Sequence, residues 1–184
     1  MSHKNVLAVD FGASSGRVML GNFDGNRLSI QEIHRFPNDP VILNGTMYWD
    51  FLRLFFEVKQ GLIKAKKYGK IDSIGVDTWG VDFGLIDKEG NLLENPVHYR
   101  DARTAGMLEK SFGKMDKDRF YQITGSQFME INTVFQLLAL LEKRPGLLEG
   151  TSRLLLMPDL FNYYLCGAQV SEYSIASTTQ MLDA

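Results

Sequence analysis

A short apolar strand that ends in an acid, passes through a turn of small residues and resumes as a second strand restricts this chain more than any other feature. Residues 5–11 read Asn-Val-Leu-Ala-Val-Asp-Phe, too short an apolar run for a helix, and Gly12-Ala13-Ser14-Ser15-Gly16-Arg17 comes directly after. Glycine and serine let backbone N–H groups come close to an anion and point at it, and the Ser14 and Ser15 hydroxyls add donors. Arg17 adds positive charge or pairs with an acid, and Asp10 at the strand end suits a magnesium ion bridging phosphates, directly or through water. An ordinary hairpin uses the same residue types. The GxxxxGK[ST] and GxGxxG spacings are both absent, and the residues after Gly16 read as a strand rather than a helix.

The rest of the pattern predicts an α/β chain. Strands are expected over 17–23 and 28–36, punctuated by Asp24-Gly25-Asn26. A helix is expected over 50–68, with Asp50 as N-cap, Phe51, Leu54, Phe55, Val58, Leu62 and Ala65 at helical spacing, and Gly69 as its stop. The apolar run 71–77 then completes a β–helix–β crossover, which implies a parallel pairing. Strands are predicted at 81–87 and 91–99 about the turn 87–90, and at 154–157. Helices are predicted at 104–112, at 133–144 between the Asn132 cap and Pro145, and at 158–166 before Gly167. No internal repeat or low-complexity linker interrupts them.

A second polar cluster, Asp77-Thr78-Trp79-Gly80-Val81-Asp82-Phe83, sits at the C-terminal end of the expected parallel strand, the edge where open α/β sheets bind ligands. Trp79 suits the apolar face of a sugar, Asp77, Thr78 and Asp82 suit hydroxyls, and Gly80 lets backbone approach a ligand. The alternative is a loop with a core tryptophan and turn-capping aspartates. Tyr99-Arg100-Asp101-Ala102-Arg103 offers Arg100 and Asp101 as further polar contacts, or as a salt bridge.

Composition removes several function classes. The 20 basic and 22 acidic residues give a net charge of −2 with no long run of either sign, so nothing marks a nucleic-acid or anionic-membrane surface. Cys166 is the one cysteine, which excludes an internal disulfide and a CxxC site, and His34 and His98 lack metal-ligand spacing with it. No apolar stretch has the length of a signal-peptide core or a membrane span, and a cytoplasmic protein is the expectation.

Residues 9–20 resemble the first hairpin of the FGGY carbohydrate kinases, a branch of the sugar kinase, actin and heat-shock chaperone superfamily. Gly-Ala-Ser-Ser-Gly-Arg and Asp-Thr-Trp-Gly-Val-Asp-Phe are similar to the rhamnulokinase subgroup. The segments 99–103, 125–128, 132–136, 157–159 and 174–180 match the family's run in order. The resemblance implies an actin-like (ribonuclease H-like) ATPase fold with a mixed sheet and flanking helices. It also implies ATP on Ala13, Ser14, Ser15, Gly16 and Arg17, magnesium on Asp10, and a ketose, L-rhamnulose, at Gly80. Fuculose, xylulose or glycerol are the alternative substrates, and a non-catalytic actin-like nucleotide module is the alternative class. In the family, the catalytic base and most of the adenosine pocket lie beyond the position matching Ala184. The resemblance therefore implies that residues 1–184 are an incomplete N-terminal domain, inactive alone, without its C-terminal partner domain.

Overall fold

The computed structural model describes residues 3–183. Within these, the chain divides into two compact units, one of residues 3–39 and 50–79, the other of residues 40–49 and 80–183.

The first unit is built on a four-stranded mixed sheet. Strand β1 (Lys4–Phe11) lies between β2 (Ser15–Phe23), paired antiparallel, and the last strand of the unit (Ser73–Asp77), paired parallel, while β3 (Leu28–Pro37) flanks β2. The parallel pairing is the crossover expected from the sequence. Helix α1 (Phe51–Ala65) makes it, packed against β2 and β3. Asp50 caps α1 by accepting the Arg53 N–H, and Phe51, Leu54 and Val58 turn inward. Leu7, Val9, Phe11, Val18 and Leu20 are the buried apolar residues of β1 and β2. A single 3₁₀ turn (Lys66–Tyr68) ends the helix before Gly69.

The second unit begins with a hairpin of β4 (Val41–Leu43) and β5 (Thr46–Tyr48), turned by Asn44 and Gly45, both at positive φ. With Ser73–Asp77 numbered β6, β7 (Phe83–Ile86) pairs antiparallel with β8 (Arg153–Leu156). The helices are α2 (Met107–Phe112), α3 (Lys117–Thr124), α4 (Thr133–Lys143), α5 (Pro145–Glu149), α6 (Met157–Cys166) and α7 (Tyr173–Ala176). Phe83, Leu85, Leu140 and Leu156 form one core cluster, and Met107, Phe120, Phe135 and Ala139 another.

Three expectations are corrected. Residues 91–99 form no strand, only single bridges at Leu92 and Val97, because Pro96 has no N–H to continue a ladder. The strand expected from 81 starts at Phe83, since Val81 stands at φ 65°. Asn132 occupies the N-cap of α4 without capping it: its amide donates to Gln127 O and Gln180 Oε1 instead. As expected, α4 ends before Pro145, which opens α5 directly after the Arg144 cap. Of the stretch that closes the sequence, residue 184 lies outside the described residues. No helix among the described residues is long and apolar enough to cross a membrane.

Candidate functional site

In the first unit, the turn at residues 12–15 projects from the C-terminal end of β1, with Ala13 and Ser14 exposed. It closes through Gly12 N–H donating to Ser15 O at 3.0 Å. Among the described residues, neither the Ala13 nor the Ser14 N–H has a protein acceptor. Two adjacent unpaired donors on a short exposed turn suit an anion. Arg35 Nη1 donates to Ser15 Oγ at 3.1 Å, bringing to this turn a cation that no sequence motif had marked. Gly16 is glycine for a reason internal to the protein: a Cβ there would lie 2.3 Å from the Phe36 ring.

Asp10 is opposite Arg17 across the β1–β2 ladder, and Arg17 Nε donates to Asp10 Oδ2 at 2.7 Å. This realises the acid-pairing alternative for Arg17, yet its terminal nitrogens donate to no protein acceptor among the described residues. On the other side of β1, Asp77 holds the register position beside Asp10, and its exposed carboxylate accepts no protein hydrogen bond among the described residues. No cluster of three or more His, Cys, Asp or Glu side chains suited to a metal occurs among the described residues. The neighbouring carboxylates still fit magnesium, which binds through one or two carboxylates together with phosphates and water.

Trp79 belongs to this unit. Its ring packs at 5.6 Å from Phe11, and its Nε1 donates to Gly12 O at 2.9 Å. The indole that the sequence offers to a sugar face is thus hydrogen-bonded to the turn at residues 12–15.

In the second unit, Gly80, Val81 and Asp82 form a γ-turn closed by Asp82 N–H donating to Gly80 O at 2.8 Å. Its central residue is Val81 at φ 65°, a strained conformation for a β-branched side chain. Three side chains hold it. Thr133 Oγ1 donates to Val81 O at 2.7 Å, Gln136 Nε2 reaches the same oxygen at 3.3 Å, and Val81 N–H donates to Thr178 Oγ1 at 3.1 Å. Gln180 in turn accepts from Asn132 and donates to Ser126 O. Segments far apart in sequence thus converge on one backbone turn. Strain fixed by surrounding bonds is characteristic of ligand-binding backbone.

Asp82 is placed differently from the expectation of a sugar contact. It is 1% exposed, Oδ2 accepts Trp49 Nε1–H at 2.6 Å and Tyr99 N–H at 3.1 Å, and Oδ1 accepts from Gln136 at 3.1 Å. Burial pushes its pKa up to about 6, against those three hydrogen bonds and the charge of Arg103. A raised carboxylate pKa is a feature of general bases, but this carboxylate is sealed inside the fold. Asp101 is likewise committed, accepting Met47 N–H at 2.8 Å and Arg103 N–H at 2.9 Å. Arg100 is exposed, stacked over Tyr99 at 5.3 Å, and forms no ion pair with Asp101.

The sequence matches the FGGY family of carbohydrate kinases, N-terminal domain, over residues 5–184. It is 44% identical over 182 residues to a rhamnulokinase of Bacteroides thetaiotaomicron, covering 98% of this chain and 38% of that protein. It is also 44% identical over 179 residues to a rhamnulokinase of Oceanobacillus iheyensis, covering 97% of this chain and 38% of the relative. Among solved structures it is similar to a gluconate kinase from Lactobacillus acidophilus, with TM-score 0.85 at 17% identity over 99% of this chain and 37% of that one. Plasmodium falciparum glycerol kinase with ADP gives TM-score 0.75 at 18% identity, over 98% of this chain and 38% of that one. These two structures bear on the fold alone, and the chain spans well under half the length of each of these relatives.

Proposed function

Because the chain belongs to the FGGY family of carbohydrate kinases, we propose that it is the N-terminal part of an ATP-dependent kinase that phosphorylates L-rhamnulose on its 1-hydroxyl. The sugar is taken from the 44% identity to rhamnulokinases across nearly the whole chain. The observation that carries the nucleotide reading is the exposed turn with unpaired Ala13 and Ser14 N–H groups beside Asp10 and Arg17.

In this reading the turn binds the ATP phosphates through Ala13, Ser14, Ser15, Gly16 and Arg17, while Asp10, with Asp77 beside it, holds magnesium. When bound, that ion supplies neutralisation of phosphate charge during transfer. The Gly80–Asp82 turn presents backbone to the ketose, with the exposed Arg100 as a further candidate. We assign the proton-accepting carboxylate to none of residues 1–184, since Asp82 is sealed and fully bonded and Asp159 is only 2% exposed. Residues 1–184 alone are accordingly expected to give no turnover.

The test is ADP release by the complete kinase with rhamnulose, fuculose, xylulose and glycerol in parallel. Highest kcat/KM on rhamnulose supports the proposal, and preference for another of the four replaces the sugar but keeps the class. ATP binding without turnover on any of them would favour a non-catalytic nucleotide module. Ordinary kinase turnover, about 1–100 per second, by residues 1–184 alone would overturn the assignment of the base.

A further inference from the structure

We propose that Asn38 and Trp79 are positioning residues for the phosphate turn, holding the Gly12 carbonyl so that the Ala13 N–H faces the nucleotide. The proposal rests on the reading of residues 12–17 as a phosphate site.

Asn38 Nδ2 donates to Gly12 O at 2.7 Å and Trp79 Nε1 to the same oxygen at 2.9 Å. One carbonyl thereby receives two side-chain donors from chain segments far apart in sequence. With both lone pairs engaged, this oxygen is withdrawn from the usual i to i+3 turn bond, and the turn closes instead through Gly12 N–H and Ser15 O. The peptide joining Gly12 to Ala13 is trans and planar, so its N–H points opposite to its carbonyl. Fixing the oxygen toward Asn38 and Trp79 therefore fixes the Ala13 N–H away from them. That N–H is one of the two that have no protein acceptor among the described residues.

The state of Asn38 supports the assignment. It is 2% exposed, and its Oδ1 is buried without a hydrogen-bond partner. An unpaired buried acceptor is unfavourable, and an apolar side chain would fill the space without it. The amide's contribution is its donor. The reversed amide would set oxygen against the Gly12 carbonyl, which fixes its orientation. Trp79 has its ring against Phe11, so the same residue supplies both packing and donor.

The experiment measures separate KM values for MgATP and sugar, with melting temperatures, in the complete kinase. Trp79→Phe keeps a packed ring and removes the donor; Asn38→Leu fills the space and removes the other. Each is expected to raise KM for MgATP about three- to tenfold, the size of one lost hydrogen bond, with KM for sugar unchanged. A rise in sugar KM with MgATP unchanged would overturn the proposal and return Trp79 to the sugar. A lower melting temperature with both constants unchanged would overturn it too, leaving the pair as packing. Ser14→Asp tests the underlying reading separately, because a carboxylate on the exposed turn repels phosphate. If Ser14→Asp leaves KM for MgATP unchanged, the phosphate reading itself fails. If it raises KM while Trp79→Phe and Asn38→Leu do not, only the positioning role fails.

Discussion

Asp82 accepts the Trp49 indole N–H at 2.6 Å, deep inside the second unit, while His98 lies against the face of the same indole at 4.1 Å between ring centres. One tryptophan thus contacts two titratable groups whose pKa values move in opposite directions. Burial pushes Asp82 up to about 6, and burial followed by the charge of Arg100 lowers His98 to about 4.

The two shifts have opposite signs in stability. Folded Asp82 holds its proton where the unfolded chain has released it, so its contribution is present below pH 4 and lost as pH rises to 6. Folded His98 refuses a proton that the unfolded chain accepts, so its contribution is present above pH 6.5 and lost as pH falls to 4. Between pH 4 and 6 the two slopes oppose one another. Urea unfolding from pH 4 to 7 should show wild type losing stability relative to Asp82→Asn as pH rises. The change is on the order of 3 kcal/mol, at about 1.4 kcal/mol per pKa unit. Relative to His98→Phe, wild type should gain over the same range. Parallel curves for wild type and both variants would contradict these ionisation states.

Asp10 offers a cleaner separation of chemistry from stability. Its pair with Arg17 is partly solvated, with side-chain exposures of 34% and 40%, so the pair itself contributes no more than about 1 kcal/mol. Asp10→Asn in the complete kinase should therefore leave melting nearly unchanged while lowering kcat about 10- to 100-fold, partly relieved by excess magnesium. A melting loss as large as the kinetic loss would instead identify Asp10 as an anchor for Arg17.

The sheet of the first unit was legible because its residues obey simple periods. Leu7, Val9 and Phe11 alternate inward, and α1 runs from Asp50 with a regular apolar face. Asn44-Gly45 is also a strong local signal, the residue pair of a tight hairpin turn, although no hairpin was expected there. The γ-turn at Val81 was not legible at all. Nothing local asks valine for a positive φ, and the bonds that impose it come from Thr133, Gln136 and Thr178. Trp79 was legible only in part for a related reason: a tryptophan beside a glycine suggests a sugar surface, but its hydrogen-bond partner Gly12 is distant in sequence.

Thr133 is fully buried and donates to the Val81 carbonyl, so it tests whether the strained turn matters. Thr133→Val keeps shape and removes the donor, leaving that oxygen only the longer bond from Gln136. A loss of about 1–3 kcal/mol is expected, together with a raised sugar KM as the turn relaxes. Thr133→Ser keeps the hydroxyl and should keep sugar affinity. If both variants lower stability equally and neither changes the sugar constant, the turn is structural and takes no part in binding.

Gly80 tests the sugar edge most directly, and the structure narrows what its substitution would mean. Its φ is not positive, so alanine faces no conformational barrier there. An added Cβ would instead lie 3.2 Å from Thr178 Cγ2 and 3.3 Å from Thr178 Oγ1. That hydroxyl donates to Ile175 O and accepts the Val81 N–H, so pressure on it disturbs the bonds that hold the turn. Gly80→Ala should therefore lower stability by about 1–3 kcal/mol even without sugar. Adding Thr178→Ser removes the nearest methyl and keeps the hydroxyl, so the double variant should recover most of that loss. The sugar constant then discriminates. If Gly80 backbone faces the ketose, KM for sugar stays raised in the double variant after its melting temperature has returned, with KM for ATP unchanged throughout. If sugar KM recovers together with stability, the effect passed through Thr178, and Gly80 is not at the substrate edge.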